Sequence, residues 1–195
     1  MPKYLKAIKI YIFSLLIFFC FDTYAQDRIV MVVADKGFQD EALSKPLKYF
    51  KDEGFVVDIA SDDVDKAQGL LGTTIEPDII IEQIDLDKYK AMVLIGSLGA
   101  DVLLDSGALE YKLKQAALEN KVIAAISMSP VTLAKAGILK DRQATVWPQE
   151  SQKLIDYGAD YVFADVVVDG RLVTASGPQA ALDFAKEIVR LIKEE

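Results

Sequence analysis

Unbroken apolar runs recur along the chain at intervals that leave room for a helix between each pair. Residues 28–33 (RIVMVV), 55–60 (FVVDIA), 91–95 (AMVLI) and 122–126 (VIAAI) have the continuous hydrophobicity of strands buried on both faces of a parallel sheet. Leu43, Leu47 and Phe50 fall at helical spacing and Gly54 closes that helix. A second helix is predicted over residues 109–118, and residues 69–78 read as turns and short edge pieces broken by Gly72 and Pro77. Residues 166–168 and 172–174 flank Asp169-Gly170, a hairpin signal, and a last amphipathic helix runs over residues 178–192. This alternation predicts one α/β domain, a three-layer α/β/α sandwich around a mostly parallel sheet. No repeat and no Gly/Ser linker divides it.

The first 25 residues break the pattern. Lys3, Lys6 and Lys9 precede an apolar run from Ile10 to Phe21, and Thr23-Tyr24-Ala25 places small residues where a signal peptidase reads them. Asp22 stops the run well short of the roughly 20 apolar residues that a spanning helix needs. An uncleaved anchor is the competing reading, and a lipid anchor at Cys20 is disfavoured by bulky Phe19 before it. Residues 1–25 are therefore expected to be a secretory signal peptide and residues 26–195 a single exported domain, periplasmic or secreted. After cleavage no stable membrane span is expected.

Composition then removes whole classes of chemistry. The 195 residues carry 22 Lys+Arg against 30 Asp+Glu, no histidine and one cysteine. Losing Lys3, Lys6, Lys9, Asp22 and Cys20 with the leader takes the net charge from −8 to −10 and leaves neither imidazole nor thiol. A disulfide scaffold, a Cys/His zinc site, thiolate chemistry and a histidine base are all excluded. The acidic balance argues against nucleic acid as a partner.

The most informative stretch is residues 122–130 (VIAAISMSP). A buried strand runs into Ser127, and a helix is expected to open at Ser129-Pro130. A strand–turn–helix element of this kind presents one side chain at the carboxyl edge of a sheet, where an enzyme places a nucleophile. The ordinary reading is that Ser127 merely ends a strand while Ser129 caps a helix with Pro130 at its first position.

Four segments in order resemble the ThiJ/PfpI superfamily, which contains intracellular-protease-like and Parkinson-protein deglycase-like domains. Ala34-Asp35-Lys36-Gly37-Phe38-Gln39-Asp40, with Leu43 and Pro46, resembles the family's first strand-to-helix turn. Val93-Leu94-Ile95-Gly96-Ser97-Leu98-Gly99-Ala100 resembles its Leu-Pro-Gly-Gly turn. Ala124-Ala125-Ile126-Ser127-Met128-Ser129-Pro130 resembles its Ala-Ala-Ile-Cys-(Ala/His)-Gly-Pro elbow, and the segment from Val167 to Pro178 resembles its closing hairpin and helix start. The likeness covers nearly all of residues 27–193. It implies a flavodoxin-like, class I glutamine amidotransferase-like fold and, as is common among such relatives, a homodimer.

The departures from the family pattern fall on its chemistry. Ser127 stands at the position of the nucleophilic cysteine, Met128 at that of the following histidine, and Ala42 at that of the acidic residue. Glu41 is adjacent, but one helical step turns a side chain by about 100°. Ser97 replaces the second glycine of the oxyanion-type turn. A serine needs a base, and losing one costs on the order of 10⁶ in turnover. The expectation is a retained polar cleft that binds a small ligand or a protein partner without cysteine hydrolase or deglycase chemistry. The competing expectation is a weak serine-dependent hydrolase or deglycase-like enzyme using Ser127. Gly96, Ser97, Ser127, Met128, Glu41 and Trp147 are the cleft candidates; no cofactor and no metal are expected.

The remaining motifs have ordinary readings. Asp62-Asp63-Val64-Asp65 lacks the glycine and distal glutamate of a calcium loop and reads as solvated. Trp147-Pro148 resembles the family's Thr-x-x-Pro strand end, where Trp147 walls the pocket or simply packs. Lys112 and Lys114 read as a solvated helix face.

Overall fold

The structure is a computed structural model and describes residues 26–97, 103 and 105–194. Residues 1–25, where a signal peptide is expected, and residues Leu98, Gly99 and Ala100 of the glycine turn, lie outside the described residues.

Each long apolar run is a strand of one seven-stranded sheet. Within it β1 (Arg28–Val32) lies between β3 (Val56–Ser61) and the central strand β7 (Ala91–Ile95), parallel to both. Outward from β7 follow β8 (Val122–Ile126) and β12 (Leu172–Ala175), both parallel, and β6 (Ile79–Ile80) lies beyond β3. The edge strand β11 (Val166–Asp169) runs antiparallel to β12 because the Asp169-Gly170 hairpin reverses the chain. Two small additions complete the strands. They are a three-stranded piece of β2 (Lys36–Phe38), β4 (Ala67–Gly69) and β5 (Thr74–Ile75), and a parallel pair of β9 (Gln143–Ala144) and β10 (Asp160–Tyr161).

Because successive strand residues face opposite ways, β1 feeds two cores. Ile29 and Met31 pack under α1 (Asp40–Asp52) and α5 (Ala181–Lys193), meeting Leu43, Phe50, Phe184 and Ile188. Val30 and Val32 pack on the other side with Leu109 and Leu113 of α2 (Gly107–Leu118), Leu133 of α3 (Pro130–Lys135) and Leu154 of α4 (Ser151–Asp156). The three-layer α/β/α sandwich with a mostly parallel sheet is therefore as the pattern predicts.

The sheet has two unlike ends. At its amino edge the Arg28 guanidinium binds the Asp58 carboxylate at 2.6 Å, and the Tyr89 hydroxyl donates to the same carboxylate at 2.7 Å. The chain is held there from its first described residue: the Gln26 side chain donates to the Gly54 carbonyl, and Val56 N–H donates to the Asp27 carbonyl. Elsewhere Asp62, in the acidic cluster, accepts from the Asp35 amide at 3.0 Å and so ties the ends of two strands together. Lys112 is not simply solvated, since its ammonium donates to the Ile84 carbonyl. At the carboxyl edge β7 and β8 end side by side, at Ile95 and Ile126, and run on into Gly96-Ser97 and Ser127.

Candidate functional site at the carboxyl edge

Ser127 is more than the end of a strand. Its φ is +65°, in the left-handed region, which costs a non-glycine residue about 1–2 kcal/mol. Its N–H donates to the Ala175 carbonyl of β12 at 2.9 Å, while its own carbonyl accepts from the Trp147 N–H at 2.9 Å. Neighbouring elements thus hold the strained turn from both sides, and the second bond sets Trp147 next to the elbow. Strain kept in this way is characteristic of sites that present a side chain.

Gly96 is there because nothing larger fits. A Cβ on it would lie 2.2 Å from the Ser129 nitrogen and 2.6 Å from the Ser129 Oγ. The end of β7 therefore rests directly on the elbow backbone and brings Ser97 beside Ser127. The expected cap does not form: Ser129 has φ −65° and ψ −20°, already helical, and its side chain accepts no capping bond. Its hydroxyl is instead fully buried, with no hydrogen-bond partner among the described residues. A capping side chain needs extended backbone, and the helical backbone of Ser129 does not supply it.

The cleft above the elbow has a volume of about 270 Å³ and is lined by Gln39, Leu70, Ser97, Ser127, Met128, Trp147 and Pro178. Four of the candidate residues, Ser97, Ser127, Met128 and Trp147, meet there, with Gly96 beneath them. Trp147 is 37% exposed, so it is a wall with one open face. Glu41 is not part of the cleft. It lies on the exposed face of α1, where Lys45 binds its carboxylate at 2.6 Å, and Ala42 is buried in the core. The rotation along the helix that separates positions 41 and 42 keeps the acid away.

Three lining residues escaped the sequence reading. Gln39 is the N-cap of α1, its side-chain oxygen accepting from the Ala42 N–H, so the polar group that α1 offers the cleft is a neutral amide. Its position directly before the helix was the available signal. Pro178 was in the quoted hairpin segment, whereas nothing marked Leu70. That residue is positioned by Asp40, a buried carboxylate that accepts from the Leu71 N–H at 2.8 Å and the Thr73 N–H at 3.0 Å. Burial pushes the Asp40 carboxyl up, but these hydrogen bonds outweigh it and leave the group below its ordinary value. A Cβ on Gly69 would lie 2.6 Å from the Asp40 carboxylate, so the turn carrying Leu70 fits closely around that side chain.

The chemistry on offer is that of a small neutral recess. Among the described residues lining it none titrates, and none can take a proton from Ser127. The Met128 and Ser129 amides make no hydrogen bond among the described residues. The walls are largely apolar, with two hydroxyls and one amide between them.

Comparisons with known proteins place this architecture. Residues 27–191 match the model of the DJ-1/PfpI family. A Methanocaldococcus jannaschii protein without an assigned function is 37% identical over 86% of this chain and 83% of its own. A Pyrococcus abyssi protein named as a deglycase is 34% identical over 85% of this chain and 99% of its own. Among solved structures, a ThiJ/PfpI domain protein from Brachyspira murdochii superposes with a TM-score of 0.85 at 28% identity, covering 87% of this chain and 98% of that one. Drosophila melanogaster DJ-1beta superposes with a TM-score of 0.79 at 25% identity, covering 87% of this chain and 95% of that one. The chain belongs to the DJ-1/PfpI family.

Proposed function

We propose that the protein is an exported binding module in which the elbow cleft holds a small neutral ligand, or a short segment of a partner protein, without covalent chemistry. The observation that carries this reading is the absence of any titratable side chain among the described residues lining the cleft around Ser127. A carbonyl or hydroxyl group suits the site, hydrogen-bonding to Ser97 and Ser127 while an apolar body lies against Leu70, Met128 and Trp147. The proposal includes cleavage after Ala25, release beyond the cytoplasmic membrane and a homodimeric state. No described helix is long and apolar enough to cross a membrane, which is compatible with that reading. N-terminal sequencing of the exported protein should return Gln26 as the first residue, and light scattering should return twice the mass of the chain.

A second reading is a serine-dependent hydrolase or deglycase-like enzyme. It is favoured by the strained elbow at Ser127 and by relatives named as deglycases. One experiment separates the two. The purified protein is treated with an active-serine phosphonate and weighed intact beside a Ser127→Ala control. The binding-module reading expects no adduct on the folded protein. An adduct on the parent that is missing from the control would overturn it.

A further inference from the structure

A second recess, of about 360 Å³, is lined in part by the chain neighbours of Trp147 and differs from the elbow cleft in its chemistry. It contains one carboxylate, Asp165, two aromatic rings, Tyr161 and Phe163, and the polar side chains of Ser176 and Gln179. Among the described residues no lysine or arginine lines it, and Asp165 takes part in no ion pair. The Asp165 carboxylate accepts one long bond, from the Ser176 hydroxyl at 3.3 Å, and that hydroxyl in turn accepts from the Gln179 amide at 3.0 Å. A carboxylate so lightly engaged keeps capacity for a further donor.

The recess is also built before anything enters it. Phe163 and Asp165 stand two residues apart, and both line the same hollow. The residue between them is fixed, because the buried Thr145 hydroxyl donates to the Ala164 carbonyl at 2.7 Å. The Asp165 carbonyl is fixed as well, accepting from the Ser176 N–H at 2.9 Å. Phe163 is 84% exposed, so its ring is accessible to a ligand. A carboxylate beside one open and one half-buried aromatic ring, with no cation among the described lining residues, is the pattern that recognises an organic cation through a charge-assisted hydrogen bond and a cation–π contact. The chain's negative net charge, −8, draws cationic ligands toward it.

We propose that this recess is a second binding site, for an alkylguanidinium or alkylammonium group, with Asp165 as the counter-ion and Phe163 and Tyr161 as the stacking walls. The site is separate from the elbow cleft and stands or falls independently of the function proposed for it.

The test is a titration of the isotopically labelled protein with n-butylguanidinium and with n-butylurea, its neutral isostere, followed through the backbone amide signals of Ala164 and Asp165. Saturable shifts with butylguanidinium are expected, with at least tenfold weaker binding of butylurea. Asp165→Asn should weaken the cation at least tenfold, and Phe163→Ser should weaken it severalfold. Both side chains are exposed, so neither variant endangers folding. The proposal is overturned by an absence of saturable shifts at these amides, by equal binding of the two probes, or by a cation affinity that Asp165→Asn leaves unchanged.

Discussion

A positive φ at a serine is a small store of free energy, and it has a measurable sign. Glycine adopts the left-handed region without penalty but loses more entropy on folding, so the two effects partly offset each other. Ser127→Gly should raise stability by roughly 0.5–1 kcal/mol, read as a higher urea midpoint at unchanged slope. Ser127→Val should lower it, because a β-branched side chain tolerates that backbone poorly. If Ser127→Gly proves neutral or destabilising, the elbow is not strained and its likeness to a presented nucleophile weakens. No residue count or hydropathy profile shows this strain. Position 127 was legible through the strand before it, the proline after it and the resemblance of that turn to the family's elbow, whereas the buried Ser129 hydroxyl was not legible at all. The rule that serine before proline caps a helix failed at Ser129 because its backbone is already helical, where a capping residue is extended.

At the scale of elements, the long strands and the three long helices flanking them were readable because each carries an apolar pattern long enough to be distinctive. Strands β2 and β4 were not, and β5 only as an edge piece somewhere within residues 69–78, since pieces of two or three residues bury too little to leave a period. The structure shows what holds them: the first residue of α1 reaches across with its carboxylate and organises the turn between β4 and β5. Asp40→Asn replaces one acceptor oxygen with a donor facing the Leu71 or Thr73 N–H. It should cost about 2 kcal/mol and speed hydrogen exchange at those two amides ahead of the rest of the sheet. Because Leu70 rides on this turn, the same variant should weaken any ligand of the elbow cleft while leaving the recess at Asp165 intact. Uniform acceleration of exchange across the whole sheet would contradict this local role. Gln39 belongs to the same lesson, since the apolar spacing of Leu43, Leu47 and Phe50 marks the helix without marking its first residue, and so hides the side chain that caps it.

Across the whole molecule, the lack of histidine fixes the shape of the stability curve. No side chain has an unperturbed pKa between pH 5 and 8, so stability should be nearly flat there. Acid is different. Burial raises the Asp58 carboxyl, but hydrogen bonds from Arg28 and Tyr89, with the charge of Arg28, bring it below its ordinary value, and Asp40 is lowered by its own bonds. A carboxylate depressed in the folded state contributes stability that is complete above its unfolded pKa of about 3.9 and is lost as pH falls through the folded value. Unfolding free energy should therefore hold to about pH 4 and drop below it. Asp58→Asn should lower stability at pH 7 by about 2 kcal/mol and make the acid limb shallower. An acid limb unchanged in both Asp58→Asn and Asp40→Asn would show that other carboxylates govern it.

The chain enters the sheet at Arg28 on the amino edge, whereas the elbow lies at the far end of strands that run the same way, roughly 17 Å along a five-residue strand. Whatever is joined to residue 26 therefore hangs from the pole opposite the cleft. A tag, a linker to a solid support or a retained hydrophobic leader at that end would hold the molecule by its base, with Ser127 and Trp147 facing away from the attachment. The direction shared by the central strands thus makes the amino terminus a natural point of immobilisation for ligand screening.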